Sequence, residues 1–321
     1  MRLWWRSLAP LVGLFACAVT EAAAQTCGDI PIPATFVEQR VIATPVAASG
    51  AQKVRLWIDS DGEGFLFDDV ALRYATYLPT GPDEPVKARL PAFTMGGRFP
   101  QPSSYGSALG VMRRAEVHGD PIFAGLDGQL GASWLQRRVW TFDYPDRSLV
   151  WHCDGAQPPH TPADEVPILF ATDPSGKLLG GAEYPQIHVD VAGQRFLASL
   201  DTAATVALSA QGMHALGPGQ AVRATSFATR SVVAAWHARH PDWRYFANAG
   251  QTVGIVAIRV PIVTAAAVRF RNVWFTTRPD DDVFQGEQEQ LKVGPTAFGC
   301  CVLTIDYLRH KAVVRRLSSG G

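Results

Sequence analysis

The sequence predicts a mostly β protein made of two related β-barrel-like lobes facing across a cleft. Three observations predict it. The 29 glycines and 23 prolines are spread along 321 residues rather than clustered, which suits short strands joined by turns better than long helices. A strand-like run ending in Asp and a hydroxyl residue occurs twice. A hairpin-like block follows it later, again twice.

Bulk properties narrow the class further. Lys and Arg total 29 and Asp and Glu total 29, so there is no basic excess to attract nucleic acid or an anionic membrane surface. With 47% hydrophobic residues, a chain of this length buries one large core or two ordinary ones.

The first 24 residues read as a targeting segment. Arg2 and Arg6 lead into the apolar run "LAPLVGLFACAV", and "AAAQ" offers a small-residue cleavage site after Ala24. The run is short for a bilayer span, so export to the periplasm or the medium is expected, with the mature chain beginning near Gln25. "LFAC" has the outline of a lipoprotein site from which Phe15 departs, and membrane attachment enters only through lipidation at Cys17. Export leaves Cys27, Cys153, Cys300 and Cys301. Adjacent cysteines suit a disulfide poorly, and Cys27 lies in an otherwise unanchored arm, so Cys27 is expected to be tied to the body, with Cys153 a partner. The chain has no Cys-x-x-Cys and no clustered His-x-x-x-His, so no metal is expected.

The repeats carry most of the information. "GASWLQRRVWTFDYPDRSLVW" (Gly131–Trp151) lies ungapped over "GPTAFGCCVLTIDYLRHKAVV" (Gly294–Val314), matching Gly131 with Gly294, Val139 with Val302, Thr141 with Thr304, Asp143 with Asp306 and Tyr144 with Tyr307. Each block reads as a hairpin that ends a lobe. "QKVRLWIDSDGEGFLF" (Gln52–Phe67) lies over "QRFLASLDTAATVALS" (Gln194–Ser209), matching Asp59 with Asp201 and Ser60 with Thr202. The second half has a longer middle, in which "SVVAAWHARHPDW" has helical spacing before Pro241, with His237 and His240 expected at the surface. The Pro-rich "CDGAQPPHTPADEVP" reads as the linker, giving lobes over residues 25–155 and 156–321.

A carboxylate at the end of a buried strand must be hydrogen-bonded or paired. Taken alone, "DTAAT" fits an Asx-turn or a helix N-cap. A matched Asp at the same strand end of both copies is not something repeat architecture requires. These pieces resemble the pepsin-like and retropepsin-like aspartic peptidases. Their two β-rich lobes each supply one Asp from an Asp-Thr/Ser-Gly loop and later place an apolar-Gly pair beneath it. The matching blocks are "IDSDG" with "LDGQLGASWL" and "LDTAAT" with "LKVGPTAF". The resemblance implies that Asp59 and Asp201 form a catalytic dyad sharing one proton, because two carboxylates held side by side cannot both ionise easily. It further implies that Ser60 and Thr202 hold the two loops in register, that Tyr105 in "PSSYGSALG" sits on a flap, and that the substrate is a peptide or protein cleaved without metal or other cofactor.

The motif departs from the family at its third position, which is Asp61 in one half and Ala203 in the other. Asp61 adds a third carboxylate that pushes the dyad's apparent pKa values up, unless Gly62 and Gly64 let the loop turn it to solvent. Three readings therefore stand: an exported aspartic endopeptidase, a degenerate peptidase fold that binds peptides or proteins without cutting, and a two-carboxylate glycosidase or structural β protein. Gly-x-Ser-x-Gly, phosphate-loop and His-Glu-x-x-His motifs are all missing from the sequence. The acidic run in "RPDDDVF" reads as a solvated loop rather than a calcium site.

Overall fold

The computed structural model describes residues 27–50, 52–81, 84–94, 99–100, 108–280 and 289–316. At its centre lies an antiparallel six-stranded sheet drawn from both halves. Its order is Asp29–Ile32, Ser148–His152, Val139–Asp143, Cys301–Asp306, Lys311–Arg316 and Glu165–Pro167. The two repeated hairpins meet in its middle, where Thr141 stands opposite Thr304. Their hydroxyls hydrogen-bond at 2.8 Å, and the Thr141 hydroxyl also meets His152 Nε2 at 2.8 Å. The two copies of the repeat are thus joined through the same residue of each, with both hydroxyls of the junction hydrogen-bonded.

Each half adds an eight-stranded sheet, and the two have one arrangement. In the first half the order is Ala34–Val37, Arg40–Ala43, Leu56–Ile58, Gly128–Leu130, Phe65–Phe67, Ala108–Met112, Lys87–Arg89 and Thr76–Tyr77. In the second it is Leu169–Phe170, Pro185–Val191, Gln194–Leu200, Glu289–Val293, Ser226–Thr229, Val268–Arg278, Ala257–Ala265 and Tyr245–Phe246. The third strand of each runs into an Asp loop and pairs in parallel with the fourth. Leu56–Ile58 is buried along its whole length, as expected of a strand covered on both faces. The fourth strands end at Gly131 and Gly294, each followed by one helical turn, Ala132–Leu135 and Pro295–Phe298.

The longer middle of the second half contains a two-stranded ribbon (Thr205–Ala207 with Val222–Ala224) and two helices, Ala210–Leu216 and Arg230–Arg239. The latter is the helix expected before Pro241; Thr229 caps its N-terminus through the Val232 amide, and Val232, Val233 and Trp236 face the core. His237 and His240 stack on the rings of Tyr245 and Trp243. One apolar core runs through both halves, with Trp134 and Trp140 packed at 4.5 Å between centroids. The Cys27–Cys153 disulfide closes the edge where Asp29–Ile32 pairs with Ser148–His152, while Cys300 and Cys301 are free thiols. Among the described residues no helix is long and apolar enough to cross a membrane.

Candidate active site

The two Asp loops, each following the third strand of its sheet, meet each other through Ser60 and Thr202. Asp59 is anchored by its own N–H, which donates to Leu130 O at 3.0 Å, and Asp201 in the same way by Val293 O at 3.0 Å. The glycines that follow those carbonyls permit the approach. A Cβ on Gly131 would lie 2.3 Å from Gly62 O, and one on Gly294 would lie 1.9 Å from Thr225 O. Each apolar-Gly pair therefore lies against backbone with no room for a side chain.

Ser60 and Thr202, both fully buried, interlock the loops. The Ser60 N–H donates to Thr202 Oγ1 and the Thr202 N–H to Ser60 Oγ, each at 3.0 Å. Each hydroxyl then donates onward to the other half's strand, Ser60 to Leu200 O at 2.5 Å and Thr202 to Ile58 O at 3.1 Å. Both donors and both acceptors are satisfied, so the loops behave as one unit.

Asp59 and Asp201 line one cleft of about 430 Å³, together with Trp57, Ile122, Phe123, Phe227, Arg278 and Lys292. Asp59 Oδ1 accepts the Asp61 N–H at 2.9 Å, and its Oδ2 accepts the Gln129 amide at 2.9 Å. Asp201 Oδ1 accepts the Ala203 N–H at 2.8 Å. Burial, and after it the Asp201 charge, raise the Asp59 pKa to about 7. Burial also raises Asp201, against the Lys292 ammonium and the N–H groups of Ala203 and Ala204.

Asp61 does not turn to solvent. It is 4% exposed, and its Oδ2 pairs with the Lys292 ammonium, itself 4% exposed. Burial pushes Asp61 up and Lys292 opposes that; burial likewise works against the Lys292 charge, but Asp61, Asp201 and Glu289 together keep the amine protonated. The additional carboxylate is thus introduced together with a cation. The next residue, Gly62, is closely packed, since a Cβ there would fall 2.2 Å from Asp59 Oδ2. Tyr105 lies outside the described residues.

Gln129, Lys292 and Arg278 join the site without having stood out in the sequence. A signal for two of them existed: the ungapped repeat sets Gln129 over Lys292, polar residues two places before the matched glycines. Arg278 lies over the Phe227 ring at 4.3 Å and reaches Thr205 O, contacts with no local sequence signature.

No family model matches the sequence, and neither does any curated protein. The fold is similar to the crystal structure of an aspartic proteinase from Irpex lacteus, with 12% identity, a TM-score of 0.50, and coverage of 90% of this chain and 98% of that one. The crystal structure of edgp is similar at 8% identity and a TM-score of 0.47, covering 90% of this chain and 95% of that one. Identities this low speak to fold alone. The chain has the mostly β, bilobal fold of the aspartic peptidases.

Proposed function

We propose that the protein is an exported aspartic endopeptidase, with residues 1–24 as its signal segment and residues 25–155 and 156–321 each supplying one member of an Asp59/Asp201 dyad. The observation that carries this reading is the convergence of both carboxyls on one cleft while Ser60 and Thr202 lock their loops reciprocally. With one proton shared, the ionised carboxylate takes a proton from water as its oxygen bonds to the peptide carbonyl carbon. The protonated partner gives its proton to the carbonyl oxygen. In the second step the C–N bond breaks and the amine nitrogen takes the proton collected from water. A hydroxyl proton of the diol returns to the other carboxylate, and the dyad is restored. The apolar walls formed by Trp57, Ile122, Phe123 and Phe227 suit the side chains of an extended peptide.

The test is to incubate the purified chain with a mixed peptide library from pH 3 to 8, with a statine-type transition-state mimic as control. Cleavage is expected from acidic pH up to about 7, where Asp59 gives up its proton. Asp59→Asn and Asp201→Asn are each expected to abolish it, and cleavage surviving either change rules out the dyad. One observation favours a second reading, peptide binding without cleavage: a buried ion pair, Lys292 with Asp61, sits in the cleft wall beside the dyad. Retained binding of library peptides with no hydrolysis at any pH would support it.

A further inference from the structure

Duplication puts Gln129 and Lys292 at matched places in the two sheets. Gln129 stands beside Trp57 and Lys292 beside Ser199, each one residue ahead of the carbonyl that anchors its half's catalytic loop. Their chemistry has diverged. The Gln129 amide donates to Asp59 Oδ2 at 2.9 Å and to Glu63 O at 3.0 Å, so Asp59 is held by a neutral donor. The Lys292 ammonium crosses between the halves to Asp61 Oδ2, in the wall that also contains Asp201. A two-fold framework is thereby given an amide on one side and a cation on the other, so the two carboxyls of the dyad are not equivalent.

We propose that Lys292 is a positioning residue that assigns the dyad's roles: its ammonium, paired with Asp61 in the cleft wall that also holds Asp201, keeps Asp201 as the ionised carboxylate that accepts the proton of water and leaves Asp59 as the proton donor to the carbonyl oxygen. The assignment of reaction roles rests on the aspartic-peptidase reading, whereas the charge asymmetry does not. The charges facing Lys292 are those of Asp61, Asp201 and Glu289, with Asp59 and the Tyr184 phenol also in its field. Asp201 faces Lys292, Arg278, Asp59, Asp61 and the Tyr144 phenol, and the Tyr307 phenol faces Asp59 and Asp61. Lys292 is the foremost charge on Asp201, with Arg278 behind it, whereas at Asp59 the Asp201 charge comes first and the Lys292 ammonium counts for less. Asp61 in turn tempers Lys292: the pair is neutral as a unit, and removing either member alone changes the charge beside the dyad.

Lys292→Met, Asp61→Asn and the double variant test this in the full chain labelled with 13C at the Asp carboxyl carbons. Carboxyl titrations are followed by NMR and assigned with Asp59→Asn and Asp201→Asn. Lys292→Met is expected to raise the Asp201 titration by about one pH unit or more, and Asp61→Asn to lower it by about as much, because one loses a cation and the other an anion. The double variant, neutral again, is expected to return to within about half a unit of the starting value. An Asp201 titration that moves in neither single variant, or in the same direction in both, overturns the proposal. Should Lys292→Met, which removes the cation of the buried ion pair, fail to fold, Asp61→Asn and the double variant still decide it through the downward shift and its reversal. The acid limb of the pH–rate profile for peptide cleavage is expected to follow the same order. Titrations shifted in that order with no hydrolysis by the unsubstituted chain would support the charge asymmetry and count against the peptidase reading.

Discussion

Ser60 and Thr202, 142 residues apart, each donate their backbone N–H to the other's hydroxyl. Each hydroxyl in turn donates to a carbonyl at the end of the opposite strand, so four buried groups are satisfied by two side chains. Ser60→Ala leaves the Thr202 N–H and the Leu200 carbonyl without these partners in a place water does not reach. A loss of about 1–3 kcal/mol is expected in urea unfolding. Thr202→Val is expected to cost a similar amount, and the double variant less than the sum, since the two changes break one network. Additive losses would show that the hydroxyls act independently.

The Asp59 pKa makes a prediction about stability against pH. Its folded value is about 7 and its ordinary value 3.8. Below the ordinary value both folded and unfolded chains hold the proton and the folded state keeps its full advantage. As pH rises through the folded value, the unfolded chain has already ionised freely, while the folded chain ionises against burial and the Asp201 charge. That stability is therefore lost between roughly pH 4 and 7. Asparagine cannot ionise, so Asp59→Asn is expected to match the parent near pH 4 and to exceed it at pH 7.5, by on the order of 2–4 kcal/mol. The carboxyls of Asp68, Glu165, Asp173 and Asp280 have lowered pKa values and work in the opposite sense. They are common to both proteins and cancel in the difference, which thermal melts across the pH range would measure.

Gly62→Ala places a Cβ 2.2 Å from Asp59 Oδ2 and 2.6 Å from the Gln129 amide nitrogen. The side chains must part, so Asp59 loses its orientation. On the proposed peptidase reading, a fall of about 100-fold or more in kcat/KM is expected, with modest loss of stability, as for displaced catalytic groups generally. Gly131→Ala and Gly294→Ala instead drive a Cβ against backbone carbonyls at 2.3 and 1.9 Å. These are expected to cost about 3 kcal/mol or more, read as poor yield of folded protein and a lowered Tm.

The Cys27–Cys153 bridge spans 126 residues and pins the edge strand Asp29–Ile32 to the first hairpin. Replacing both cysteines by serine frees that arm and is expected to lower stability by about 2–4 kcal/mol. Peptide mapping without reductant is expected to recover Cys27 joined to Cys153. Recovery of Cys27 as a free thiol contradicts the pairing.

What the sequence determined by itself is the part that repeats. Two copies of a short-range pattern are visible wherever they fall, so the paired hairpins, the Asp59/Asp201 match and the glycines beneath them are legible without coordinates. The match of Thr141 with Thr304 even anticipates the residues that meet at the junction. Tertiary structure decided what is not repeated. Asp61 and Lys292 lie 231 positions apart with nothing local to link them, and whether Asp61 was an exposed extra charge or half of a buried pair depended on where the second sheet put Lys292. The same holds for Gln129, which is an ordinary strand residue until the parallel pairing of Gly128–Leu130 with Leu56–Ile58 brings its amide to Asp59. Strand propensity and turn chemistry act over a few residues and are written in order along the chain. Electrostatic pairing acts through space, and a chain's order does not record it until the sheets have packed.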